Sequence, residues 1–69
     1  MDIKIGDIWK YASPLGDTHW FVYRMDDTTI HIHSIGDGQS VGYNMHLFKS
    51  AVKQRNPAWK LVSRPQKNQ

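Results

Sequence analysis

The chain has 69 residues, no cysteine, no glutamate and a formal net charge of +3, which limits it to one small domain that buries only about 60% of its unfolded surface. Without cysteine neither a disulfide framework nor thiolate zinc ligation can staple the fold, so the aromatics and the Ile, Leu and Val side chains must build the core. All six Asp lie in residues 1–37 beside Lys4, Lys10 and Arg24, whereas Lys49, Lys53, Arg55, Lys60, Arg64 and Lys67 follow with no carboxylate among them, a polarity that bears on the choice of partner and points to an anionic one.

In chain order, Ile3 to Tyr11 places Ile3, Ile5 and Trp9 at odd positions and predicts a strand, with Gly6-Asp7 marking a bulge or a turn into it. Ser13-Pro14-Leu15-Gly16-Asp17 is a loop by composition. His19 to Met25, dense in aromatic and β-branched residues, predicts a second strand, and Thr28 to Ile35 a third after the tight connection Asp26-Asp27. Gly36-Asp37-Gly38-Gln39 is the strongest turn signal, leading into a brief strand from Ser40 to Tyr43. Periodicity then changes: Asn44 caps a short helix from Met45 to about Val52, with Met45, Phe48 and Val52 on one face, and Asn56-Pro57 stops it. Ala58 to Ser63 is the fifth strand. Residues 1–63 form the single domain, and 64–69 a flexible basic C-terminal tail with nothing to bury.

Strand, long loop, three-strand meander, helical turn and final strand predict a small all-β protein, a five-stranded antiparallel SH3-like barrel. Ile5-Gly6-Asp7-Ile8-Trp9, Trp20-Phe21-Val22, Ile30-His31-Ile32 and Trp59-Lys60-Leu61-Val62 carry a resemblance, over residues 3–63, to the small SH3-like proteins of bacteriophages and prophages. That resemblance implies an accessory protein that docks on a host or viral protein and modulates it. A small OB-like barrel is the structural competitor.

The second hairpin decides which side chains are exposed. A three-residue loop, Asp26-Asp27-Thr28, pairs Val22 with Ile32 and Arg24 with Ile30, burying Trp20, Val22, Ile30 and Ile32. Phe21, Tyr23, His31 and His33 then face outward. A two-residue loop instead buries Tyr23, Phe21, Ile30 and Ile32. The first is favoured because it buries the two alternating apolar pairs together.

Two function classes follow. In the first, a protein-interaction module uses Phe21, Tyr23, His31, His33 and Asp17, with the loop at 12–18, while the acidic loops with Asp17, Asp26, Asp27 and Asp37 meet a basic groove. In the alternative, a nucleic-acid-binding domain uses Lys49, Lys53, Arg55, Lys60 and Arg64 against backbone phosphates. A homodimer is a secondary expectation, since an outward aromatic patch is large for a monomer. His31 and His33, two apart on a strand, would project together, yet nothing fixes the remaining ligands, so no metal or other cofactor is expected. With no Walker loop, nucleophile elbow or paired carboxylates, no enzyme is expected either. No apolar run reaches the ~20 residues of a membrane span, and the first residues lack the apolar stretch of a signal peptide, which implies a cytoplasmic protein.

Overall fold

The chain enters its sheet through a turn. The Asp7 amide donates to the Lys4 carbonyl at 3.1 Å, and Gly6 between them adopts φ 97°, the conformation that the third position of a type II turn demands. The expected strand therefore starts later, and Ile5, which alternation placed with Ile3, is 57% exposed. The structure, a computed structural model, describes residues 3–65. Its elements are β1 (Ile8–Ser13), β2 (Gly16–Met25), β3 (Thr29–Ser34), β4 (Ser40–Asn44), α1 (Met45–Val52) and β5 (Trp59–Ser63). All pairings are antiparallel, in the order β4-β3-β2-β1-β5, the order of an SH3-like meander whose last strand returns beside the first.

The loop expected at residues 12–18 is mostly strand. β1 and β2 pair from Ile8↔Phe21 to Ser13↔Gly16, leaving only Pro14-Leu15 to turn. Pro presets φ for the first turn position, Gly16 takes φ 127°, and the Ser13 hydroxyl donates to the Gly16 carbonyl at 2.7 Å. Side-chain bonding inside the turn lets the ladder run to its end, so no flexible segment is presented there.

The second hairpin keeps the favoured faces by an unexpected route. Val22 pairs with Ile32 as expected, but a bulge at Tyr23 shifts the register, so Arg24 pairs with His31 and Met25 with Ile30. Arg24↔Ile30 is thus corrected. The bulge absorbs one residue of β2 and lets both Val22 and Met25 turn toward the core, where Val22, Ile30 and Ile32 are buried and Met25 packs against them.

Helix α1 forms as its sequence predicts: the Asn44 side chain accepts from the Leu47 amide at 3.0 Å, and Met45, Phe48 and Val52 are its buried residues. Phe48 reaches the centre of the core, with ring centroids 5.4 Å from Trp9 and 4.9 Å from Trp59. Burying such a side chain fully is worth about 1.5–3 kcal/mol. Among the described residues β4 and β5 share no ladder. The sheet curls until these edges meet through side chains instead, Tyr43 of β4 standing 6.0 Å from Trp59 of β5, with α1 against both strands.

The ends of the domain are locked together. Asp7, with 0% of its side chain exposed, receives Arg64 Nε on Oδ1 at 2.9 Å and Arg64 Nη2 on Oδ2 at 2.8 Å, while the Lys4 amide donates to Oδ2 at 2.8 Å. Burial acts to raise this carboxyl, but Arg64 and the Lys4 amide outweigh it and hold it below its ordinary 3.8. The buried Trp9 indole N–H, without a partner of proper hydrogen-bond geometry, adds a weaker pull on the same group. A Cβ on Gly6 would stand 2.7 Å from the Pro65 ring, so glycine there serves both the turn and the close approach of the chain end. Of the residues expected as a tail, Arg64 is held by Asp7, Pro65 stands beside Gly6, and residues 66–69 lie outside the described residues.

Candidate functional site

The concave side of the sheet is only partly covered. Inward-facing positions alternate along each strand, and α1, only eight residues long, covers those around Trp9, Val22, Ile30 and Trp59. Beside it an open groove of about 220 Å³ is lined by Tyr11 of β1, Trp20 of β2, Ile32 of β3, Val41 and Tyr43 of β4, and Trp59 of β5, Tyr43 and Trp59 also touching Phe48 of α1. Ile32 and Trp59 are buried and form its floor, whereas Tyr11 and Val41 are exposed on its walls. No charged residue lines it. The rings are braced by one another, Tyr11 lying 4.8 Å from Trp59 and Tyr43 crossing Trp59 at 85°. Trp20 is steadied separately by its Nε1–H donating to Thr18 Oγ1 at 2.9 Å. A concave, apolar, braced surface of this kind accepts apolar side chains without reorganising.

One wall of the groove is also an unpaired edge. Among the described residues β4 pairs on one side only, with β3, and its sequence Ser40-Val41-Gly42-Tyr43-Asn44 carries no charge and no proline. Edge strands are ordinarily blunted by charge, proline or bulges. None of these protects β4, whereas the other edge, β5, carries Lys60.

Composition assigns the aromatics to the core, Tyr43, Phe48 and Trp59 among them. Phe48 and Trp59 are there, but Tyr43 is only half buried and shares its ring face with the groove. Tyr11, Trp20, Ile32 and Val41 were not singled out as binding residues at all. Their signal was present as a surplus, more large aromatics at inward parity than an eight-residue helix can cover.

The residues expected to bind a protein do share a face, the convex one. Asp17, Phe21, Tyr23, His31 and His33 all project from the side opposite α1. Phe21 pairs with His33, and the Tyr23 ring lies 6.1 Å from His31 and 6.3 Å from His33. Phe21 is 36% and Tyr23 43% exposed. The histidines have local partners: His31 Nε2 is 3.0 Å from Asp26 Oδ2, and His33 Nδ1 is 3.3 Å from Ser40 Oγ. The His31 hydrogen bond, assisted by Arg24, holds the exposed Asp26 carboxyl below its ordinary value. Among the described residues no three His, Cys, Asp or Glu side chains gather as a metal set.

The basic patch expected of the C-terminal half does not assemble on one surface. Lys49 is exposed on α1, Lys53 at its C-cap, and Arg55 in the segment after it. Lys60 points from β5 to the convex side, opposite Lys10, while Trp59 of the same strand meets Phe48 of α1 on the other. Arg64 is engaged by Asp7, one of the early carboxylates. The cations are close in sequence, but strand alternation and the terminal ion pair divide them.

Among the described residues no helix is long and apolar enough to cross a membrane. Comparison with protein families, curated proteins and solved structures returned no match.

Proposed function

We propose that the protein is a non-enzymatic binding module that captures an extended segment of a partner protein in its concave aromatic groove. The observation that carries this reading is the continuity of an uncharged, ring-lined groove with an unprotected strand edge: Val41 and Tyr43 wall the groove and belong to β4. A peptide laid along β4 as an added strand gains main-chain hydrogen bonds from the edge, and its alternate side chains drop among Tyr11, Trp20, Tyr43 and Trp59. The partner segment is therefore extended, free of proline at its pairing positions, and apolar at every second residue. The likeness to phage SH3-like proteins, where it applies, adds that the partner is a host or viral factor.

The test is selection from a random-peptide display library against the immobilised protein. Peptides with apolar side chains at alternate positions are expected, and their binding is lost in Tyr11→Ala and in Val41→Lys. Both residues are exposed, so the variants should remain folded. Selected peptides that bind these two variants as well as the parent would refute the reading.

A further inference from the structure

We propose that the convex face of the sheet is a second, independent binding surface, suited to a single-stranded nucleic acid. The first observation is an unfavourable arrangement built into the ladder. Lys60 of β5 lies directly opposite Lys10 of β1. Like charges placed opposite each other across strands destabilise a sheet. Asp17 relieves only part of this, its Oδ2 standing 3.8 Å from Lys10 Nζ. No carboxylate pairs with Lys60 among the described residues. An anion seated over this row removes the repulsion and gains two ammonium groups at once.

The second observation is what adjoins the row. Phe21 follows His19 by two residues on β2 and so projects from the same face, exposed, with His33 opposite it. Tyr23 comes next, at the bulge, and the shifted register brings Arg24 opposite His31 on this same face. Exposed rings thus lie between Lys10 and Lys60 at one margin and, at the other, Arg24, whose Nε stands 3.4 Å from Asp26 Oδ1. Alternating ring faces and cations suit a strand whose bases are unpaired and whose phosphates are regularly spaced, because bases stack on Phe and Tyr while Lys and Arg meet the backbone. A duplex hides its base faces and offers the rings nothing. An acidic protein surface would use the cations but not the stacking.

The two surfaces lie on opposite sides of one sheet, so they are separable. The experiment is fluorescence anisotropy of the full chain with a labelled oligothymidylate, with an oligouridylate and with a duplex of the same length, across a salt titration. Phe21→Ala/Tyr23→Ala is expected to weaken single-strand binding about tenfold or more. Lys10→Ala/Lys60→Ala is expected to weaken it and to reduce the salt slope by about 1.4, the signature of two lost phosphate contacts on a single strand. Lys49→Ala/Lys53→Ala, altering cations of α1 and its C-cap on the other side of the sheet, should leave both quantities unchanged. All the replaced side chains are exposed or partly so, and unchanged melting curves confirm that folding is preserved. Equal binding of the duplex, loss of binding in the helix variant but not the sheet variants, or no binding at moderate salt would each overturn the proposal.

Discussion

The two halves of the concave side differ in one respect, whether α1 reaches them. Where it does, Trp9, Val22, Ile30 and Phe48 are sealed and the ring contacts are internal. Where it does not, Tyr11, Trp20 and Val41 form the same kind of apolar surface and leave it open, with Tyr43 against Phe48 at the border. A small domain can rarely spend large aromatics at its surface without consequence, because every buried ring matters to its modest stability. On the proposed reading, the covered half supplies stability and the open one recognition.

That division can be broken or sharpened by substitution. The largest effect is expected in the covered half: Phe48→Ala removes the ring at the centre of Trp9, Tyr43 and Trp59 and should cost about 3–5 kcal/mol in urea denaturation. Next comes the terminal lock. Arg64→Met leaves the Asp7 carboxylate buried and uncompensated, at a cost of about 2–3 kcal/mol near neutral pH, the low end for such a pair because Arg64 keeps some solvent contact. The pH dependence has a definite sign. A carboxyl whose folded value lies below its unfolded 3.8 stabilises the fold above that pH and loses the contribution as pH falls through and below it. The difference between parent and Arg64→Met should therefore shrink on acidification, read from denaturation midpoints.

Smaller again is Gly6→Ala, which places a methyl against Pro65 at a backbone angle that glycine favours and should cost about 1–3 kcal/mol. Least of all in stability are the open-half variants, Tyr11→Ala losing its ring contact with Trp59 at about 0.5–1.5 kcal/mol and Val41→Lys within about 0.5 kcal/mol, although both should abolish peptide capture. If Tyr11→Ala destabilised the domain as Phe48→Ala does, the two halves would be one core and the division would fail.

Much of the architecture was legible because short-range signals agree with it. Asn44 caps the helix and Met45, Phe48 and Val52 carry its period; Gly36 and Gly38 supply the positive φ of the third turn. The bulge at Tyr23 was not legible, since no glycine or proline marks it and it arises from the need to bury both Val22 and Met25. Nor was the Asp7–Arg64 pair, whose members stand 57 residues apart and meet only when β5 closes beside β1. The convex face was readable from alternation along β2 and β3, which places Phe21, His31 and His33 together. The groove was not, because inward parity marks Tyr11 and Tyr43 as core whether or not anything covers them. Only the reach of the helix decides that, and it is a tertiary quantity.

The most direct measurement is amide hydrogen exchange of the protein with and without a peptide selected by display. The account predicts new protection at the outward-facing amides of β4, within Ser40–Asn44, where an added strand would pair. Protection confined to β2 and β3, or the absence of any new protection along β4, would contradict it.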